Sequence, residues 1–180
     1  MVALGEGLGT GFWRLDNGRL TWLSVQPAET AAVRRMLLPD GARRRTVARA
    51  VTDHGWLDAV GEPRRGVIVT AQGVLTRLPP LAVRALLGAC AERFPGGALV
   101  FDAVSRRAAV LAGRGAVLAG GRWPAPVRWG LDRADLPRLA STHPGIAAVR
   151  ELPLRGAPLG RLPVLRGWPP LVCEVRFTAR

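Results

Sequence analysis

The sequence opens on a short apolar segment that runs directly into a glycine-rich turn. Val2–Leu4 is followed at once by Gly5-Glu6-Gly7, and two more glycines stand at positions 9 and 11. Glycine tolerates positive φ and carries no Cβ, so a strand that ends in this way lets its backbone approach a ligand closely. The pattern predicts an α/β sheet whose first strand ends beside a nucleotide-like ligand. Because the motif begins at residue 1, it also raises the hypothesis of an N-terminally truncated domain that exposes apolar surface.

Further apolar runs along the chain predict the other strands of this sheet. They are Leu20–Val25, Thr46–Val51, Gly66–Thr70, Ala98–Val104, Ala147–Leu152 and Leu171–Phe177. The continuous runs Val67–Val69 and Leu99–Phe101 are typical of central parallel strands that are covered on both faces. We therefore expect these two strands to be neighbours and to flank the first strand.

Helical patterns separate the predicted strands. One helix is predicted over Ala28–Leu38, with Val33, Met36 and Leu37 on one face. Another begins at Pro79-Pro80, and its predicted buried stripe consists of Val83, Leu86, Leu87, Cys90 and Phe94. Strands that alternate with helices predict a doubly wound sheet.

The composition fits one globular domain that covers residues 1–180. The chain is 48% apolar and 22% charged, as expected for a soluble protein. No apolar run is long enough for a membrane helix, and the first residues do not form a signal peptide. Cys90 and Cys173 are far apart and lie in apolar surroundings, so they predict buried thiols in a reducing cytoplasm, with no disulfide framework and no metal site.

The formal net charge of +13 raises nucleic acid as a partner. However, all 26 basic residues are arginine, and the chain contains no lysine, which is typical of a GC-rich coding sequence. The arginines are dispersed, and aromatic residues do not alternate with them as a stacking platform would require. We therefore predict a solvated basic surface without specific nucleic-acid binding.

Several blocks along the chain carry a family resemblance. They are Leu4-Gly-Glu-Gly-Leu-Gly-Thr-Gly-Phe-Trp-Arg-Leu15, Trp22-Leu-Ser-Val-Gln-Pro-Ala-Glu29, Ala31-Ala-Val-Arg-Arg-Met-Leu-Leu-Pro39, Val51-Thr-Asp-His-Gly-Trp56, Val69-Thr-Ala-Gln-Gly-Val-Leu75, Phe94-Pro-Gly-Gly-Ala-Leu-Val-Phe-Asp-Ala-Val-Ser105, Arg128-Trp-Gly-Leu-Asp132 and His143-Pro-Gly145. In order and spacing they resemble the leucine carboxyl methyltransferase-like family, particularly its bacterial branch of polyketide-biosynthesis O-methyltransferases. The resemblance implies a three-layer αβα, seven-strand class I methyltransferase sheet, mostly parallel with an antiparallel strand near the C-terminus.

The resemblance also implies the cofactor S-adenosylmethionine and a set of residues that contact it. Gly5, Glu6 and Gly7 would approach its methionine and ribose portions, and Gln26 would bond the ribose in place of the family's acid. The adenine would lie near the backbone of Val51 and near Asp53, whose simpler interpretation is a helix N-cap. Gln72 follows the fourth strand, where many relatives have Glu.

The implied reaction is O-methylation of a carboxylate or hydroxyl of a small molecule, plausibly a polyketide or another natural-product intermediate. A carboxylate is already ionised at pH 7 and needs no general base, whereas a phenol benefits from one. Neither histidine is a strong candidate for a general base, because the sequence His143-Pro-Gly is typical of a turn and His54 is interpreted as a loop residue. The sequence therefore assigns no catalytic residue, and it does not define the acceptor or the oligomeric state.

Departures from the family pattern at positions 9, 11, 26 and 72 keep an alternative open. These positions hold Gly9, Gly11, Gln26 and Gln72, where the family has Asp, Arg, an acid and Glu. The alternative is a truncated or degenerate methyltransferase-fold protein that binds a ligand or partner without turnover.

Overall fold

The strands of the protein form one mixed sheet. The computed structural model describes residues 1–63, 66–113, 126–153 and 171–179. Within these residues, a seven-stranded sheet has the order β3-β2-β1-β4-β5-β7-β6. The strands are β1 (Val2–Leu4), β2 (Trp22–Gln26), β3 (Arg44–Ala48), β4 (Ile68–Ala71), β5 (Ala98–Ala103), β6 (Ile146–Glu151) and β7 (Leu171–Phe177). The first five strands run parallel, and β7 is antiparallel to both β5 and β6.

This sheet confirms the predicted fold class, including the antiparallel strand near the C-terminus. One detail of the predicted order is wrong. β4 and β5 are neighbours, as expected, but only β4 pairs with β1, whose other neighbour is β2. The predicted third strand also begins and ends earlier in the structure, at Arg44–Ala48.

Helices connect the strands. The α-helices are α1 (Gly11–Leu15), α2 (Ala28–Leu37), α3 (Pro80–Arg93), α4 (Arg106–Gly113) and α5 (Leu136–Ala140). Short 3₁₀ helices cover His54–Ala59, Leu75–Arg77 and Arg133–Asp135. No helix in the described parts of the chain has the length and apolar character needed to cross a bilayer.

The core lies between the central strands and α3. The helix begins with Pro80 in its first turn, where the missing N–H of proline removes a donor that would have no helical partner anyway. Its predicted stripe is confirmed, because Val83, Leu86, Leu87, Cys90 and Phe94 are all fully buried. Phe94 also contacts the ring of Trp56, with centroids 6.3 Å apart. This packing holds the central strands in place and therefore also the positions of their carboxyl ends.

The apolar residues expected on one face of α2 do not form its buried face. Val33, Met36 and Leu37 are 47%, 82% and 62% exposed, whereas Ala31 and Arg34 are buried. The reason is that the guanidinium of Arg34 turns inward to polar partners on the glycine turn, which rotates the apolar residues outward. Further large apolar side chains are exposed on the glycine turn and on α1, namely Leu8, Trp13 and Leu15. That such side chains form a single contiguous apolar patch stays a prediction.

Candidate functional site

The glycine turn lies where the strand order reverses. From β1 the chain continues to β2 and β3 on one side, and then to β4 and β5 on the other. In open α/β sheets, ligands bind in the crevice at the carboxyl ends of the strands at such a switch point. Gly5 and Gly7 follow β1 with φ of 61° and 59°, the left-handed region that favours glycine. Both the place and the backbone conformation are therefore those of a ligand-binding turn.

The turn is in contact with the loop that follows β4. A Cβ added to Gly5 would lie 2.7 Å from Cγ2 of Val74, two residues after Gln72. The backbone N–H of Gly5 donates to the carbonyl of Val25 on β2 at 2.9 Å. The structure thus brings Gly5 and the Gln72 loop to one edge of the sheet, as predicted.

Glu6 is part of a buried ion pair. Its carboxylate lies 2.8 Å from Nη2 of Arg34 and accepts a hydrogen bond from Nε1 of Trp22 at 2.9 Å. Arg34 is 4% exposed, and its Nη1 donates to the carbonyls of Gly7 at 2.6 Å and Gly9 at 3.0 Å. One guanidinium therefore holds the side chain of Glu6 and two carbonyls of the turn together. The sequence did not reveal this role of Arg34, because nothing in the helical pattern of α2 distinguishes it from a surface arginine.

Gln26, at the end of β2, is also buried and has partners within the protein. Its Oε1 accepts from the backbone N–H of Gly7 at 3.3 Å, and its Nε2 donates to Oγ of Ser24 at 2.9 Å. The side chain is 1% exposed. The contact that the structure shows is thus with the glycine turn, and the predicted bond to a ribose stays a prediction.

Val51 and Asp53 follow β3 at the same edge of the sheet. The carbonyl of Val51 accepts from Nε1 of Trp56 at 3.2 Å. Asp53 caps the 3₁₀ helix His54–Ala59, because its Oδ1 accepts from the N–H of Gly55 at 3.1 Å, so the N-cap interpretation is confirmed. Its Oδ2 is bonded by Arg49 at 2.6 Å, and this hydrogen bond lowers the pKa of the Asp53 carboxyl. Asp53 is therefore an ionised, half-exposed carboxylate at neutral pH.

Asp102 lies near the end of β5 and was not among the predicted site residues. Its Oδ1 accepts from the N–H of Gly73 at 2.5 Å, which joins the carboxyl ends of β4 and β5. Gln72, the residue before Gly73, is exposed. The signal that could have identified Asp102 is a single carboxylate near the end of an apolar strand run, Ala98–Phe101.

The histidines have structural surroundings. His143 lies in a turn, where its Nδ1 accepts from the N–H of Gly145 at 3.0 Å and its Nε2 lies 3.2 Å from the carboxylate of Glu92. This arrangement confirms the predicted turn role. His54 is the first residue of the 3₁₀ helix that Asp53 caps.

A cavity of about 470 Å³ lies at the opposite edge of the sheet. Residues at the amino ends of the first two strands line it, together with Val60 and Val67. It is separated from the glycine turn by the length of the strands, so we do not assign it to the candidate site.

Comparisons with known proteins agree with this geometry. No family model matches the chain. The tetracenomycin polyketide synthesis O-methyltransferase TcmP of Streptomyces glaucescens is 31% identical over 106 residues, which are 58% of this chain and 38% of that protein. An O-methyltransferase family protein of Burkholderia thailandensis superposes with a TM-score of 0.60 at 16% identity, over 99% of this chain and 50% of that one. An O-methyltransferase of neocarzinostatin biosynthesis, in complex with S-adenosylmethionine and 2-hydroxy-5-methyl naphthoic acid, gives a TM-score of 0.56 at 20% identity, over 99% and 48%.

The chain therefore has the fold of the class I methyltransferases. It spans 38% of the length of TcmP and about half of the two solved chains. The finer resemblance to leucine carboxyl methyltransferases is not confirmed by these comparisons.

Proposed function

We propose that this protein is an S-adenosylmethionine-dependent O-methyltransferase. The observation that carries the proposal is the left-handed glycine turn at the switch point of a methyltransferase-type sheet. The identity to TcmP over the matched residues supports the reaction class, since TcmP is a polyketide O-methyltransferase. The acceptor in this proposal is a carboxylate or hydroxyl of a small molecule, of the polyketide or another natural-product class.

The residues present fit the cofactor in their backbone geometry. A Cβ at Gly7 would meet nothing within 4 Å, so the turn leaves open space above this residue. Asp53 and Gln72 have exposed side chains at the same edge and would contact the adenine half, together with the backbone of Val51. Glu6 would act on the cofactor mainly by holding the turn in shape, whereas Gln26, which accepts from the N–H of Gly7, would also bond the ribose. When bound, S-adenosylmethionine supplies an electrophilic methyl group to the acceptor oxygen.

The chain's own contribution to such a reaction is mainly positioning. Displacement at a methyl group requires donor and acceptor to be held in line and water to be excluded. Nδ1 of His143 accepts from Gly145 in the turn, and Nε2 lies 3.2 Å from the carboxylate of Glu92 on α3, so both ring nitrogens have partners in the structure. A carboxylate acceptor needs no base at pH 7, because its pKa is about 4. A carboxylate acceptor is therefore compatible with a His143 that already has partners, and both the carboxylate and the hydroxyl stay in the proposal.

The finer parts of the proposal rest on the sequence. We assign the chain to the leucine carboxyl methyltransferase-like family, as a single domain of residues 1–180. One continuous sheet that runs from Val2 to Phe177 supports this domain organisation. Cys90 and Cys173 are buried and unpaired, which agrees with a cytoplasmic protein. We expect no membrane partner and no specific nucleic-acid partner.

The test compares two glycines that have similar backbones and different places. Gly7 and Gly18 both have positive φ, 59° and 81°, and a Cβ would meet no atom within 4 Å at either position. Gly7→Ala and Gly18→Ala therefore introduce comparable backbone strain, but only Gly7 lies at the proposed site. We expect Gly7→Ala to weaken S-adenosylmethionine binding, measured by calorimetry, at least about 10-fold, with less than a twofold effect of Gly18→Ala.

Two outcomes would count against the proposal. Undetectable binding of S-adenosylmethionine to the native chain would contradict it, and so would equal losses in the two variants. Binding without methyl transfer to any carboxylate or hydroxyl acceptor would instead support the alternative of a methyltransferase-fold binding protein without turnover.

A further inference from the structure

A second cavity lies beside the sheet edge and is lined by residues other than those of the glycine turn. Its volume is about 360 Å³, within the range of pockets that hold small molecules. It is enclosed by α3, α4, α5 and the segment 126–131. This segment is fixed to the 3₁₀ helix Leu75–Arg77 and to the residue after β5, because the N–H groups of Arg128 and Trp129 donate to the carbonyl of Thr76, and the N–H of Leu131 donates to the carbonyl of Val104. The walls of the cavity are therefore anchored by backbone hydrogen bonds.

The inner surface of the cavity is apolar. Val83, Leu131 and Leu139 line it and are at least nine-tenths buried. Trp129 also lines it, half-buried, with its ring centroid 5.8 Å from that of Phe101 in the core. An indole ring held against the core gives a flat surface on which an aromatic or aliphatic group can lie.

Arginines surround this apolar surface. Arg84, Arg128 and Arg138 line the cavity, are exposed, and have no carboxylate partner among the described residues. A fourth arginine, Arg106, is neutralised by Asp135 at 2.8 Å. Other surface arginines of the protein are paired in this way, for example Arg133 with Glu151 at 2.6 Å. Within the described part of the chain, the cavity thus combines an apolar interior with three guanidinium groups that no carboxylate neutralises.

We propose that this cavity binds a small carboxylate with an aromatic or acyl body. The apolar body would lie against Trp129, Val83 and Leu139, and the carboxylate would be held by the arginines, whose planar N–H groups match carboxylate geometry. A nucleic-acid backbone fits less well, because its charges are solvated and the interior of this cavity is apolar. No residue of the glycine turn lines this cavity, so it is separate from the crevice proposed for S-adenosylmethionine.

The first experiment uses the native 180-residue chain and two probes of the same shape. Biphenyl-4-carboxylate carries the charge, and biphenyl-4-carboxamide is its neutral counterpart. We expect calorimetry to show binding of the carboxylate, with the amide at least about 10-fold weaker, and little change when S-adenosylhomocysteine is present. Equal binding of the two probes, or no binding of the carboxylate, would overturn the proposal. Competition by S-adenosylhomocysteine would also overturn it, because the probe would then occupy the glycine-turn crevice.

Matched variants then locate the site. Arg84→Gln with Arg138→Gln should weaken carboxylate binding at least about 10-fold. The control is Arg14→Gln with Arg107→Gln, which removes the same charge from exposed positions that do not line the cavity. Ala109→Leu places extra volume in the wall of the cavity and should reduce binding of both probes. An equal loss in the control pair would show that net charge alone attracts the probe, and would overturn the proposal.

Discussion

The ion pair between Glu6 and Arg34 should be the most sensitive polar interaction of the candidate site. In Arg34→Met, the carboxylate of Glu6 keeps only the hydrogen bond from Trp22, and the carbonyls of Gly7 and Gly9 lose their donor. Removing one partner of a buried pair costs about 3–5 kcal/mol, because the other charge stays buried without compensation. Glu6 is 14% exposed, so some water reaches the carboxylate, and we expect a loss near the lower end, about 3 kcal/mol.

Urea unfolding measures this loss directly. For a slope of about 2 kcal/mol per molar urea, the midpoint of Arg34→Met should fall by about 1.5 M with the slope unchanged. The matched control is Arg35→Met on the same helix. Arg35 is half-exposed, and its guanidinium lies 3.8 Å from the carboxylate of Asp40, a surface pair worth about 0–1 kcal/mol. It also donates to the carbonyl of Thr46 at 2.8 Å, a hydrogen bond worth about 1 kcal/mol, so the control loses less than Arg34→Met. Equal midpoints for the two variants would refute the assignment of a buried pair.

A double-mutant cycle separates the pair from the packing of its long side chains. Glu6→Gln removes the charge of the acid and keeps its shape, so the double variant with Arg34→Met has no uncompensated carboxylate. We expect the double variant to be more stable than the sum of the single losses predicts, with a coupling of about 1–3 kcal/mol. Additive losses would show that Arg34 acts through packing alone.

Further predictions concern reactivity, acid stability, nucleic acid and the ribose contact. Burial raises the pKa of the Cys90 thiol to about 12, so Ellman's reagent should not label it in the native protein at pH 8. Rapid labelling of Cys90 before the protein unfolds would contradict its burial. The hydrogen bond from Arg43 lowers the pKa of Asp16, so Asp16→Asn should lower the urea midpoint at pH 7. The difference in midpoint between this variant and the native protein should vanish as the pH falls through the lowered pKa, below about 4. A difference in midpoint that persists at pH 2 would exclude this linkage. Binding of duplex DNA should be weak and fall steeply with salt, and sequence-selective binding at physiological salt would reverse that expectation. Gln26→Asp should strengthen S-adenosylmethionine binding about 10-fold, because a carboxylate makes stronger hydrogen bonds to the ribose hydroxyls than an amide does. Binding of free methionine, which lacks the ribose, should not change. Unchanged or weaker binding of S-adenosylmethionine would mean that Gln26 acts only on Gly7.

The central part of the fold follows from local sequence signals. Val67–Val69 and Leu99–Phe101 are continuous apolar runs of the kind that enter central strands, and β4 and β5, which contain most of them, are neighbours in the structure. The apolar segment Val2–Leu4 with its glycines was placed correctly for the same reason. The expected coverage on both faces is wrong at Ile68, which is 50% exposed. Which strand lies next to β1 was partly wrong, because strand order depends on the path of the whole chain.

At the site, the contacts that the sequence did not predict join polar residues to partners that are distant in sequence. Arg34 was predicted on a solvated face, and it bonds the carbonyl of Gly7, 27 positions away. Gln26 was predicted to contact a ligand, and its visible partner is the N–H of that same glycine, 19 positions away. A polar residue at the end of a buried strand can satisfy either a ligand or the backbone of a neighbouring turn. Sequence periodicity does not distinguish these two uses, because both need the same residue types at the same edge.

The contacts of Glu6 also explain two of the departures from the family pattern, the glycines at positions 9 and 11. A Cβ at Gly9 would lie 3.2 Å from Oε2 of Glu6 and 3.0 Å from its carbonyl oxygen, so a side chain there would crowd the carboxylate that Arg34 holds. A Cβ at Gly11 would lie 2.8 Å from Cη2 of Trp22, the residue that donates to the same carboxylate. Gly9 and Gly11 thus pack against Glu6 and Trp22, which are bonded to each other, so the two positions belong to one local arrangement of the turn. If unrelated substitutions had destroyed the function of the turn, we would not expect these two glycines to fit their neighbours in this way. The glycines at positions 9 and 11 are therefore weaker support for a degenerate domain than two independent departures would be.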